Sequence, residues 1–249
     1  MKLTKLFGKT LSGSVTPTGT IGLVVNRGHT GRSTPVGVDY RLVEEWSKAG
    51  SREQLMSHQA ANRFRTELNS VATVGGGSVE CVRGRLDDGT IASWRDMGPP
   101  PPSCAVGGRY APSGAVVLYL CDSAPAVFRE LSPADNGRVF LQEYVLRTDS
   151  LRLADFTPAR LDEFVKAVFD VAENSSLEGR VGPVGYTFSQ VVGDLVRQAG
   201  FDGMVVPGVR GAPHFQYRNV VVFESQDRWL RWSRQETGFR SAMYVDGAV

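Results

Sequence analysis

The side chains best suited to chemistry lie between residues 83 and 130, in a passage rich in glycine and proline. Arg109 stands in a glycine loop that prolines stiffen on both sides, a setting that suits contact between a guanidinium and a phosphate. Tyr119 lies in a short apolar strand, and Glu130 lies in the helix-like stretch that follows it. We expect both side chains to face one cleft, so the passage predicts a nucleotide-binding enzyme.

Composition limits the classes of partner and cofactor. The apolar share of 41% and the charged share of 22% are ordinary for a soluble protein, and the formal net charge of +2 is too small to indicate nucleic acid as a partner. Cys81, Cys104 and Cys121 are too far apart for a zinc pattern, and their odd number argues against a disulfide framework, so we expect a reducing compartment. The three histidines are also scattered, so we expect no metal site.

No segment of the sequence suggests a membrane or secretion. Residues 1–9 are basic, but serine, threonine and glycine follow them in place of an apolar signal core. The longest apolar runs fall far short of the roughly 20 residues needed to cross a bilayer. We therefore expect a soluble, cytoplasmic protein without a membrane partner.

Changes in pattern divide the chain into three parts. Residues 1–37 are rich in glycine, serine and threonine without periodicity, whereas residues 40–68 repeat apolar side chains at helical spacing and predict two helices. We therefore predict an N-terminal arm and helical extension at 1–78, a functional domain at 79–225 and a C-terminal tail at 226–249.

The functional domain mixes strands and helices without regular alternation. Apolar and β-branched runs predict strands, and amphipathic periodicity predicts helices between them. Because the strands cluster toward both ends of the domain, the order favours an α+β fold with a mixed sheet flanked by helices over a parallel α/β sheet. The predicted strands are 79–85, 116–120, 138–146, 151–153, 204–207 and 219–223, and the predicted helices are 161–171 and 186–199.

A series of short motifs follows in order between Arg83 and Phe223. They are Arg83-Gly84-Arg85, Met97-Gly98-Pro99-Pro100, Gly108-Arg109-Tyr110-Ala111-Pro112, Leu118-Tyr119-Leu120, the helix with Glu130, the helix with Gln190, Gly200-Phe201-Asp202-Gly203 and the strand from Asn219 to Phe223. In this order they resemble the RES-domain family, whose members are often toxins of bacterial toxin-antitoxin modules. The resemblance implies a core like that of the ADP-ribosyltransferases and the breakdown of NAD at its nicotinamide-ribose bond. NAD would be the substrate, with water or inorganic phosphate as the second reactant and no metal.

The residue types fit this chemistry. Expulsion of nicotinamide leaves oxocarbenium character on the ribose, which a carboxylate can stabilise while it holds a ribose hydroxyl, and Glu130 is the candidate. A planar guanidinium suits the pyrophosphate of NAD or an attacking phosphate, so Arg109 and Arg83 are candidates and Arg85 is a poorer third. Tyr119 can stack on the nicotinamide or the ribose.

The resemblance implies further binding residues. Tyr110, the aromatic neighbour of Arg109, belongs to the motif. Family members also use a serine in the later half of the site, and alignment on Gln190 favours Thr187 for this position, with Ser189 close behind. Either residue could instead serve only as a helix N-cap.

The sequence departs from the family at two positions, which leaves alternatives open. Ala111 stands where many members have asparagine, and Gly208 stands where relatives commonly have serine. The first hypothesis is an NAD phosphorylase or glycohydrolase with a neutralising antitoxin protein as partner. The second is an ADP-ribosyltransferase that modifies a protein, and the third is a non-catalytic interaction module. Under each hypothesis the N-terminal helices could serve delivery, autoinhibition or assembly into a homo-oligomer.

Overall fold

The structure is a computed structural model that describes residues 38–75, 77–133, 137–157, 161–177, 186–210, 215–223 and 240–243. The arm predicted at residues 1–37 lies outside these residues, as does the predicted tail at 226–249 apart from 240–243.

The described residues form a seven-stranded mixed sheet flanked by helices, which confirms the α+β prediction. Its spatial order is β4-β5-β6-β2-β1-β3-β7, and β4 with β5 is the one parallel pair among these strands. The last strand, β7, was not predicted and pairs with β3 at one edge. The strands are β1 (Ser78–Leu86), β2 (Leu118–Cys121), β3 (Arg138–Arg147), β4 (Leu153–Asp155), β5 (Gly203–Pro207), β6 (Arg218–Val222) and β7 (Arg240–Met243).

Six α-helices and two short 3₁₀ helices accompany the described strands. None of these helices is both long enough and apolar enough to span a bilayer. The α-helices are α1 (Val38–Ser47), α2 (Arg52–Ser57), α3 (Gln59–Glu67), α4 (Ala124–Leu131), α5 (Glu163–Leu177) and α6 (Thr187–Gln198), and the 3₁₀ helices are Trp94–Met97 and Pro102–Cys104.

The second helix predicted within residues 40–68 is divided at His58. The backbone of His58 is extended, with φ −63° and ψ 147°, so it ends α2. Its ring Nδ1 then accepts the backbone N–H of Ala60 at 3.1 Å and caps α3. Hydrophobic spacing continues across this break, which is why periodicity alone predicts a single helix there.

The N-terminal helices share a hydrophobic core with α5 and α6. Trp46 of α1 is fully buried and packs edge to face on Phe188 of α6, with ring centroids 4.8 Å apart. Its indole N–H donates to the carbonyl of Leu55 at 2.7 Å, which satisfies the polar end of the side chain inside the core. The extension therefore packs directly on the later helices, while the boundary placed at residue 78 stays a prediction.

The sheet has two differently covered sides. Gly84 of β1 faces α4 so closely that a Cβ there would overlap the side chain of Val127. Because successive side chains on a strand alternate, Arg83 and Arg85 point to the other side. Gly84, Cys121 and Val221 point to one side of the sheet and pack there with α4, α5 and α6. We call this side the helical face. The opposite side, which the 3₁₀ helix Trp94–Met97 contacts, is the loop face.

Gly193 allows α6 to approach the loop that carries Arg109. A Cβ at this position would overlap the backbone carbonyl oxygen of Tyr110. We expect Gly193→Ala to lower the free energy of unfolding by about 1–3 kcal/mol, the usual cost of overpacking a close contact. Urea denaturation measures this change. Gly75→Ala is the control, because a Cβ there meets no atom within 4 Å, and equal stability of the two variants would contradict the expectation.

Candidate active site

Arg109 lies in a tight turn between Gly108 and Ala111. The N–H of Gly108 donates to the carbonyl of Ala111 at 2.8 Å, and the N–H of Ala111 donates back at 3.3 Å. Gly107 enters the turn with φ +85°, a conformation that side-chain-bearing residues rarely adopt. The glycines before Arg109 therefore shape the loop that presents it.

The turn is held from two sides. Gln190 of α6 donates from Nε2 to the carbonyl of Gly108 at 3.1 Å. From β2, the hydroxyl of Tyr119 accepts the backbone N–H of Tyr110 at 3.1 Å, and its ring closely covers Gly108. A helix and a strand thus fix the backbone on either side of Arg109. This contact between residues far apart in the sequence gives Gln190, a motif residue, a structural role.

The guanidinium of Arg109 is not fully paired. Its Nη1 is buried and has no hydrogen-bond partner among the described residues. A buried donor without an acceptor is unfavourable, by about 1–3 kcal/mol or more when the group is charged. An anionic ligand would supply the missing acceptor, so this nitrogen fits a phosphate oxygen.

Tyr119 combines a bonded hydroxyl with an accessible ring. The residue keeps 37% of its surface exposed, although its hydroxyl is held against the Arg109 turn. Removal of water from the hydroxyl raises the pKa of Tyr119 to about 12, so the phenol stays neutral at physiological pH. The exposed part of the ring is available for stacking on a planar ligand.

The hydroxyl of Tyr119 is also expected to stabilise the fold. Tyr119→Phe leaves the buried N–H of Tyr110 without its acceptor, so we expect the free energy of unfolding to fall by about 1–3 kcal/mol. Denaturant unfolding of Tyr40→Phe, a change in a half-buried tyrosine of α1, serves as the comparison. An unchanged midpoint for Tyr119→Phe would show that this hydrogen bond contributes nothing.

Tyr110 turns away from Arg109 into the core. The residue is only 2% exposed, and its ring centroid lies 6.3 Å from that of Phe169 on α5. A contact between Tyr110 and a ligand would therefore have to come from its backbone. The binding role inferred from the motif stays a prediction.

Glu130, near the end of α4, is held by two donors that were not among the residues predicted from the sequence. The hydroxyl of Tyr217 donates to Oε1 at 2.7 Å, and Nδ2 of Asn219 donates to the same oxygen at 2.6 Å. No described residue donates a hydrogen bond to Oε2. The available signal was Asn219 itself, a polar residue directly before the apolar run at 220–223.

The Arg109 turn and the Glu130 cluster are neighbours on the helical face. Tyr119 and Cys121 are two positions apart on β2, so their side chains point the same way about 7 Å apart along the strand. The thiol of Cys121 donates to Oδ1 of Asn219 at 3.3 Å, and Asn219 in turn holds Glu130. The structure therefore places Tyr119, which supports the Arg109 turn, beside the residues that hold Glu130.

Arg83 and Arg85 face the other way. Arg85 donates to the carbonyl of Asp96 at 2.9 Å and lies 3.6 Å from the carboxylate of Asp88. Both contacts are with residues that follow β1, on the loop face. Burial lowers the pKa of Arg83 to about 10, so it remains charged at neutral pH, and its Nη1 has no partner among the described residues. The structure does not bring these two arginines to the helical face, and their binding role stays a prediction.

The two candidate hydroxyls of α6 have different surroundings. Thr187 is the first residue of the helix. Ser189 is fully buried, and its Oγ donates to the carbonyl of Tyr186 at 3.1 Å, a local backbone contact. Ser189 therefore already has a structural partner, while the choice between the two residues for ligand binding stays a prediction.

The glycine at position 208 has a packing reason. The ring of Tyr217 fills the space beside it, so a Cβ on Gly208 would overlap the ring. The N–H of Gly208 also donates to the carbonyl of Tyr217 at 2.8 Å. Gly208 thus leaves room for Tyr217, which holds Glu130. This is a structural reason for glycine at the position where relatives commonly have serine.

The charged groups suit an anionic ligand that also carries hydroxyls. Arg109 offers donors for phosphate oxygens, and Glu130 offers an acceptor for a hydroxyl. Within the described ranges, no three histidine, cysteine, aspartate or glutamate side chains are grouped so that they could hold a metal ion.

A comparison with protein families matches the RES domain over residues 84–240, more than half of the chain. The chain belongs to the RES-domain family. The matched region of the RES domain contains Arg109, Tyr119 and Glu130, as well as Tyr217 and Asn219. Membership confirms the resemblance read from the motifs and is consistent with an NAD-related, toxin-like function. A comparison with curated proteins gives no significant match.

Proposed function

We propose that this protein cleaves the bond between nicotinamide and ribose in NAD and releases nicotinamide. The observation that carries the proposal is the Glu130 carboxylate, whose Oε1 accepts two hydrogen bonds while no described residue donates to Oε2. The incompletely paired Arg109 guanidinium and membership of the RES-domain family support it.

Glu130 would act on the ribose. As the glycosidic bond breaks, its electron pair moves to the nicotinamide ring, and positive charge develops on the ribose. The open oxygen of Glu130 would accept a ribose hydroxyl and stabilise that charge, an interaction that strengthens in the transition state. The departing ring is cationic in NAD and leaves as a neutral molecule, so the step needs no strong general acid.

Arg109 and Tyr119 would bind the rest of the substrate. The buried Nη1 of Arg109 would donate to a pyrophosphate oxygen of NAD or to an attacking inorganic phosphate. The exposed part of the Tyr119 ring would pack on the nicotinamide or the ribose. Because Gln190 and Tyr119 hold the loop before a ligand arrives, little ordering would be needed on binding.

Either water or phosphate would complete the reaction at the ribose carbon. Hydrolysis gives nicotinamide, ADP-ribose and a proton, whereas phosphorolysis gives nicotinamide and ADP-ribose phosphate. Either reaction depletes NAD and would make the protein toxic to its own cell, so a neutralising antitoxin protein is the proposed partner.

The test is incubation of the purified protein with NAD, with and without inorganic phosphate, followed by mass analysis of the products. Release of nicotinamide that accelerates with phosphate and yields ADP-ribose phosphate would establish phosphorolysis. Plain ADP-ribose would establish hydrolysis. A label from NAD that appears only on an added protein acceptor would favour ADP-ribosyl transfer, and no release from folded protein under any condition would overturn the proposal.

A further inference from the structure

We propose that Tyr217 and Asn219 are positioning residues that hold Oε1 of Glu130 and thereby leave Oε2 for the substrate. This inference rests on the proposed function, since it concerns how Glu130 performs its role. Neither residue is among the catalytic or binding candidates derived from the sequence, although both contact the carboxylate directly.

The two hydrogen bonds converge on a single oxygen. Their lengths of 2.7 Å and 2.6 Å are short, as expected when the acceptor carries charge. A glutamate side chain has three rotatable bonds, and a free one would sample many orientations of its carboxylate. Two donors from different directions select one orientation, so Oε2 has a defined position before substrate binds.

Tyr217 is itself held firmly. It is only 4% exposed, and its hydroxyl accepts the backbone N–H of Arg210 at 3.1 Å while it donates to Glu130. Gly208 packs against its ring and donates to its carbonyl. Burial and the nearby charge of Glu130 raise the pKa of Tyr217, so the phenol keeps its proton and remains a donor at neutral pH.

Asn219 is oriented by a second contact. Its Oδ1 accepts the thiol hydrogen of Cys121 at 3.3 Å, so its Nδ2 is directed to Glu130. The two residues are paired directly across β2 and β6, which fixes the distance between them. The sheet therefore presents this donor to α4 as a rigid part of the scaffold.

Arg210 ties the backbone of α4 to the same segment. Its Nη1 donates to the carbonyls of Arg129 and Glu130, at 3.3 Å and 2.9 Å, and to Oγ of Ser132 at 2.6 Å. The carbonyls at a helix C-terminus lack partners within the helix, so a cation is favourable there. Arg210 thus contacts the backbone of Glu130, while Tyr217 and Asn219 contact its carboxylate.

The first test compares Tyr217→Phe and Asn219→Leu with the parent protein in nicotinamide release from NAD. Each change removes one donor and keeps a side chain of similar size. We expect kcat to fall by about 10- to 100-fold, with KM for NAD changed by less than about threefold, because the loss falls on the transition state. Unchanged kcat in both variants would overturn the proposal.

A structural control separates positioning from general destabilisation. Ser123→Ala removes the N-cap of α4 but leaves the contacts of Glu130 in place, so it should reduce stability without reducing kcat. In a Glu130→Ala background, Tyr217→Phe should cause no further loss of the residual rate, since there is no carboxylate left to position. An equal fold loss in both backgrounds would overturn the positioning role.

A stability measurement, which does not depend on catalytic activity, distinguishes failure of this inference from failure of the proposed function. Urea midpoints of Tyr217→Phe, Glu130→Ala and the double variant should be non-additive, because both single changes remove the same hydrogen bond. Strict additivity would overturn the positioning role even if the protein cleaves NAD. If the midpoints are non-additive but the parent protein does not cleave NAD, the contact between Tyr217 and Glu130 is supported and only the proposed NAD reaction is refuted.

Discussion

Replacing Glu130 with glutamine is expected to lower kcat for nicotinamide release from NAD by about 10²- to 10³-fold, the usual loss when one group that stabilises transition-state charge is removed. Glutamine keeps the size of the side chain and a carbonyl oxygen for Tyr217 and Asn219. Glutamine lacks the negative charge that stabilises the positive charge developing on the ribose. The loss should therefore appear mainly in kcat, with KM for NAD little changed.

Steady-state kinetics with mass detection of nicotinamide measures this effect. Glu44→Gln is the matched control, because Glu44 is an exposed residue of α1 whose partner is Lys48, 3.2 Å away. Circular dichroism and a denaturation curve should show that both variants are folded. A kcat for Glu130→Gln within about threefold of the parent value would remove Glu130 from the catalytic role.

Replacing Arg109 with alanine is expected to raise KM for NAD by about 10- to 100-fold, which corresponds to the loss of one or two hydrogen bonds to a charged group. The same change removes a buried nitrogen that has no partner among the described residues, so stability should not fall. Weaker binding of NAD with unchanged stability is the result we expect for a residue whose main role is to bind a ligand.

Arg109→Lys refines the test. Lysine keeps the positive charge but lacks the planar fork of donors, so its KM should lie between those of the parent and Arg109→Ala. Arg147→Ala is the control, since Arg147 is an exposed arginine paired with Asp149 at 3.1 Å. If phosphate is the nucleophile and Arg109 binds it, KM for phosphate should rise in place of KM for NAD. Parent values of both constants in Arg109→Ala would contradict the assignment.

Local sequence patterns were sufficient for most secondary structure. The alternation at residues 79–85 predicts β1, and the amphipathic repeat at 186–199 predicts α6, because these patterns depend on neighbours in the chain. The break at His58 was missed because hydrophobic spacing runs across it and a histidine cap is a contact of one particular side chain. Strand β7 was missed because its pairing with β3 joins segments about 100 residues apart.

The candidate residues show the same division. The motifs identified Arg109, Tyr119 and Glu130 together with Arg83 and Arg85, but a motif does not state which side of a sheet a residue occupies. Strand pairing places Tyr119 on the helical face, and alternation along β1 turns both other arginines to the loop face. Tyr110 follows Arg109 directly, yet the turn directs its ring into the core.

The α+β class, the family and the residue types that the proposed chemistry needs can be read from the sequence alone, because periodicity and short motifs depend on neighbours in the chain. The fold is needed to know which of these groups meet. Glu130 and Tyr217 are 87 positions apart, and Gln190 and Gly108 are 82 apart, so no short pattern relates them. They meet because the order β6-β2-β1 and the docking of α4 and α6 bring distant segments to one face, where burial favours hydrogen-bonded polar pairs.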